Sequence, residues 1–200
     1  MDPNLPSIAA PAEAFTHVRI VIGIVLGLSV SRLLTGLARF IQHPQEQIVY
    51  PVHLAWVCFL LLSVVHFWWF EFGLRTIQVW TIEKYFLVIL YAALYFLLCT
   101  LLFPDNLNEY TGYRDYFLSR RAWFFGLLAI LHVVDVFDTM IKGTTHLEFY
   151  GGEYPLQIGG FILFSLIAAL WSNRNFHAVF AASALIYQIV FILRHFSTLS

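Results

Sequence analysis

The chain has 200 residues, of which 60% are hydrophobic and only 12% charged, with a formal net charge of −1. Soluble domains carry about a quarter charged residues, so this composition does not clothe a water-facing surface, and lipid must cover most of it. The near-zero net charge and the lack of a basic face argue against nucleic acid as a partner.

Residues 1–17 form a polar tail with acids and prolines but no Lys or Arg. The first basic residue, Arg19, already opens the apolar run. A cleaved leader carries its basic residues ahead of the apolar stretch, so the first hydrophobic segment is read as a retained span. A spanning helix needs about 20 predominantly apolar residues. Six stretches meet that requirement, at about 18–40, 53–74, 84–103, 122–141, 155–172 and 176–195. The expected fold is therefore all-α: a polytopic membrane protein built as one bundle of six transmembrane helices over residues 18–200.

The first span carries Gly23, Gly27 and Ser31 at four-residue spacing. Such a stripe lets a neighbouring helix approach closely, either inside the bundle or in a homo-oligomer. HPQEQIVYP (43–51) breaks the chain before the second span, and a short polar run, RTIQVWTIE (75–83), separates the second from the third. Pro104 ends the third span. The stretch DNLNEYTGYRDYFLSRR (105–121) spaces Tyr110, Tyr113, Tyr116 and Phe117 as an amphipathic helix would, which suits either an interfacial helix or a loop with aromatic anchors. GTTHLEFYGGEYP (143–155) precedes the fifth span, and SNRN (172–175) turns into the sixth.

Six crossings sort Trp56, Trp123 and Trp171 toward one interface and Trp68, Trp69 and Trp80 toward the other, the usual place for Trp. Both termini then share a side. Arg19, Arg75, Lys84, Lys142 and Arg194 balance Arg39, Arg114, Arg120, Arg121 and Arg174, so the positive-inside rule does not choose which side. For a bacterial source, the expected location is the inner (cell) membrane.

Cys58 and Cys99 lie in apolar segments without metal spacing and read as small hydrophobes. No GxSxG, Walker, GxGxxG or HExxH motif marks an enzyme.

The informative residues are the ionisable ones inside the spans, which cost roughly 2.5–3.5 kcal/mol each on insertion scales and so face the bundle, pair, or line water. Counting about 1.5 Å per residue from one interface places His66 about 20 Å deep, His132 about 16 Å, Asp135 about 21 Å and Gln188 about 20 Å. These four form a predicted polar layer, with Arg32 on the first span as its counter-charge. Asp138 with Lys142, and Glu71 with Arg75, stand at i,i+4 and are expected as ion pairs at helix ends.

Three functions fit such a layer. The first is a proton or ion path in a small channel- or transporter-like protein. The second is a redox or metal protein, in which His66 and His132 hold a haem, or His66, His132 and Asp135 a metal ion. The His53/His66 and His132/His146 spacings resemble a two-haem arrangement, but only His66 and His132 match in depth. The third is a non-catalytic accessory or assembly subunit, in which the layer only sets helix packing.

Overall fold

The computed structural model describes residues 9–45, 48–143 and 151–195. These residues are helical and contain no strand. The helices are α1 (Ala9–Gln42), α2 (Pro51–Phe70), α3 (Ile82–Leu102), α4 (Tyr113–Lys142), α5 (Glu153–Leu170) and α6 (Arg174–His195), with a 3-10 turn, Glu71–Thr76, continuing α2. Each of the six is long and apolar enough to cross a membrane.

Local chemistry sets the ends. Pro51 starts α2, where its fixed φ suits the helix and its missing N–H costs nothing. Thr81 caps α3 by accepting from the Lys84 N–H. Asn173 Oδ1 accepts from Phe176 N at 3.0 Å and caps α6. Gly143 ends α4 with φ of 101°, a backbone that other residues rarely adopt.

Two expected boundaries move. Helix α1 begins at Ala9, so the residues read as a polar tail already enter the helix. Residues 113–121 form neither a separate interfacial helix nor a loop. They are the first turns of α4, whose 30 residues extend well beyond one hydrocarbon thickness.

α4 packs most closely on α5, α1 on α3, α2 on α6, and α3 on α4, while α2 also touches α1, α3 and α4 and so lies at the centre. Trp56 of α2 is fully buried, ringed by Phe59, Phe124, Phe125 and Phe180 with centroids 5.1–5.5 Å away. It is a core residue, unlike the interfacial anchor its depth suggested; Trp123 and Trp171 are exposed. Outward faces carry Ile, Leu, Val and Phe, including Ile24, Leu90, Phe137 and Leu193, as lipid requires.

The small-residue stripe divides. Gly23 faces the Trp68 indole of α2, 2.9 Å from where a Cβ would stand, whereas Gly27 and Ser31 are exposed. Gly36 makes the tightest helix approach. A Cβ there would meet the Phe103 ring at 2.2 Å.

Arg32 takes no part in the polar layer. Its guanidinium donates to Phe103 O and to Asp105 Oδ1, both at 2.7 Å, and Arg39 reaches Pro104 O at 3.3 Å. The long side chain reaches out to the start of the connection after α3 and leaves the bundle interior to others. The hydrogen bond and charge of Arg32 hold the Asp105 carboxyl below its usual range.

Candidate functional site

The structure brings together all four residues of the predicted layer. His66, His132, Asp135 and Gln188 line one partly enclosed cavity of about 60 Å³. This is room for a few water-sized molecules. The cavity lies in the half of the bundle nearer the 71–81 segment. Asp135 stands seven residues before the end of α4, and Tyr154, in the first turn of α5, reaches it.

Asp135 faces the cavity from α4 and is held by two phenols. Tyr91 of α3 donates to its Oδ1 at 2.5 Å, and Tyr154 donates to its Oδ2 at 2.9 Å. The Tyr154 oxygen is also 2.9 Å from Thr139 Oγ1. Since the single phenol proton goes to the carboxylate, the Thr139 hydroxyl donates to Tyr154. Among the described residues no Lys, Arg or His forms an ion pair with Asp135.

His132 stacks flat on Phe161 of α5, with centroids 4.5 Å apart and planes 11° from parallel. Its Nδ1 is 2.8 Å from Leu128 O. A carbonyl only accepts, so Nδ1 carries the proton and Nε2 is the acceptor of the neutral ring. Ser63 is buried and its hydroxyl has no partner, and the same holds for Gln157 Oε1. Both residues line the cavity.

Beside the cavity lies a buried triad. The Lys142 ammonium donates to Glu71 Oε1 at 2.9 Å and to Asp138 Oδ2, and it sits 3.5 Å from the centre of the Phe70 ring. All three charged side chains are at most 3% exposed. The expected Asp138–Lys142 pair forms at the end of α4, with both side chains buried against neighbouring helices. The expected Glu71–Arg75 pair is replaced by Glu71–Lys142, because the helix tightens to a 3-10 turn at Glu71 and loses the i,i+4 register. Glu71 Oε2 and Asp138 Oδ1 remain buried without a donor. A crevice of about 10 Å³ between Arg19 and Glu71 lies on the far side of the triad.

Toward the opposite face aromatic packing dominates, with His53 and His177 buried in it. Trp56, Phe124, Phe125 and Phe180 fill the core there. His53 in that half donates to or accepts nothing in the cavity: its Nε2 donates to Leu102 O at 2.6 Å, within a nest of Phe40, Phe103 and Tyr113. His146 lies outside the described residues. Among the described residues no group of three His, Cys, Asp or Glu is placed to hold a metal ion, so His66, His132 and Asp135 share a cavity without converging as ligands.

The phenols Tyr91 and Tyr154, with Ser63 and Gln157, are the residues that sequence reasoning missed. A depth count from the other interface would have found one of them. Tyr91 is nine residues into α3, about 14 Å, and Asp135 about 11 Å from the same side.

Six long apolar helices with lipid-facing side chains define a multi-pass integral membrane protein. Comparison of the chain with protein-family models, curated proteins and solved structures finds no match.

Proposed function

We propose that the protein is transporter-like and that its cavity is an occluded station for a proton or a small cation. The observation that carries this reading is Asp135, a carboxylate inside the spans that faces a cavity and is held only by neutral phenols. An intramembrane carboxylate without a cation beside it costs several kcal/mol unless something positive joins it. Among the described residues, Glu71 and Asp138 share the buried Lys142 ammonium, and Asp135 has no ion-pair partner of its own. Protons or a cation supply the balance.

The polar groups also run in one direction. From the cavity, Tyr154, Thr139, Asp138, Lys142 and Glu71 lead to the Arg19 crevice. The aromatic core closes the other direction. A site with polar groups toward one face and aromatic packing toward the other suits an occluded state of alternating access, and transporter bundles place their sites between helices within the membrane. On this reading the layer conducts by changes of state and not as an open pore.

Reconstituted vesicles with an interior pH dye test it. Wild-type protein carries protons or a monovalent cation under an imposed potential, and Asp135→Asn loses at least about tenfold of that flux at unchanged thermal stability. Equal flux in both, with Asp135→Asn less stable, assigns the layer to packing and the chain to an accessory or assembly role.

A further inference from the structure

We infer that the cavity takes a small ammonium-type cation, NH₄⁺ or a short primary amine, as its ligand. The inference rests on the reading of the cavity as a cation station and names the chemistry of its occupant.

The cavity gathers acceptors from two helices, one of them without a donor. Asp135 presents a carboxylate. His132 commits its N–H to Leu128 O and keeps Nε2 as an acceptor. Gln157 Oε1 is buried with no donor. Asp135 and His132 are one helical turn apart on α4, and Gln157 faces them from α5. An unpaired buried acceptor is costly, and Gln157 Oε1, sharing the cavity with the Asp135 carboxylate and the His132 imidazole, calls for a ligand with several N–H or O–H donors. The nearby phenols do not supply them, since Tyr91 and Tyr154 give their protons to Asp135.

The walls specify charge and size. Phe67, Phe70, Tyr91 and Tyr95 line the same space, and aromatic faces attract cations. Phe70 already demonstrates this: one ammonium, Lys142 Nζ, sits 3.5 Å from its ring centre while held by carboxylates. The carboxylate excludes anions. A volume of about 60 Å³ suits ammonium or methylammonium better than bulky quaternary amines. A spherical alkali ion of similar size lacks directional donors and leaves the imidazole and amide acceptors poorly matched.

Calorimetric titration of the full chain in lipid nanodiscs, at fixed ionic strength, tests this with ammonium, methylammonium, potassium and tetramethylammonium chlorides. Saturable binding of the first two, with the other two at least about tenfold weaker, is the expected result. Gln157→Leu is the discriminating variant. It removes an acceptor that has no partner, so thermal stability holds or rises, while ammonium binding falls about tenfold, the size of one charge-assisted hydrogen bond. No saturable ammonium heat, equal affinity for potassium, or unaltered binding in Gln157→Leu each overturns the inference. Vesicle flux that depends on Asp135 but persists without ammonium binding overturns the ligand class alone. Absence of both flux and binding overturns the cation station as well.

Discussion

Lys142 shows what one residue does in a medium without water. Its ammonium joins Glu71 on the α2 extension to Asp138 on its own helix, and it is completely buried. Removing it leaves two carboxylates facing each other. Lys142→Met should cost about 3–5 kcal/mol, the usual penalty for breaking a buried ion pair. Thermal unfolding in detergent measures this, and the combined change Lys142→Met, Glu71→Gln, Asp138→Asn should recover most of the loss. Tyr91→Phe tests the hydrogen bond to Asp135 in the same assay. It takes away a donor to a charged group while keeping the ring stacked on Tyr95 and edge-on to Phe67, so a loss of about 1.5–3 kcal/mol is expected.

Helix α1 meets the third helix through Gly36, whose bare backbone accepts the Phe103 ring. Gly36→Ala has to displace a ring buried among Phe40, His53 and Tyr113, and overpacking of that kind costs about 1–3 kcal/mol. Gly27→Ala, with nothing within 4 Å of the added Cβ, should change stability by less than about 0.5 kcal/mol. The pair of variants separates close packing from mere smallness, which the spacing of Gly23, Gly27 and Ser31 did not. The same junction carries a pH signature. The Asp105 carboxyl is held below its usual range by Arg32, so its tie to α1 is present at neutral pH and is lost as pH falls through its lowered range. Tryptic cleavage after Arg114 should therefore quicken at low pH in wild-type protein and be pH-insensitive in Asp105→Asn, once the protease's own pH dependence is subtracted.

Across the whole molecule, the six helices were legible because twenty apolar residues are a strong local signal, and their order needed no knowledge of packing. The four-residue layer was legible for a related reason: depth follows from a count along each helix. Direction around the helix axis is another matter. Which way Arg32 reaches, whether Glu71 turns to Arg75 or Lys142, and whether Trp56 faces lipid or core depend on neighbours distant in sequence. Tyr91 and Tyr154 were illegible on the same ground, since a tyrosine in a span is as often a packing ring as a donor. Helix α4 adds a lesson about length: the interfacial aromatics of 113–121 belong to a helix longer than the bilayer core, so a window tuned to twenty residues cut it short.

On this reading Asp135 is a carboxylate which a cation or proton visits. Infrared difference spectroscopy on the reconstituted protein reads this directly. Adding the cation, or stepping the pH, should perturb a carboxyl band that is present in the wild type and missing from Asp135→Asn, with the phenol bands of Tyr91 and Tyr154 shifting alongside it. A spectrum indifferent to cation and pH, or a responsive band that survives in Asp135→Asn, would contradict it.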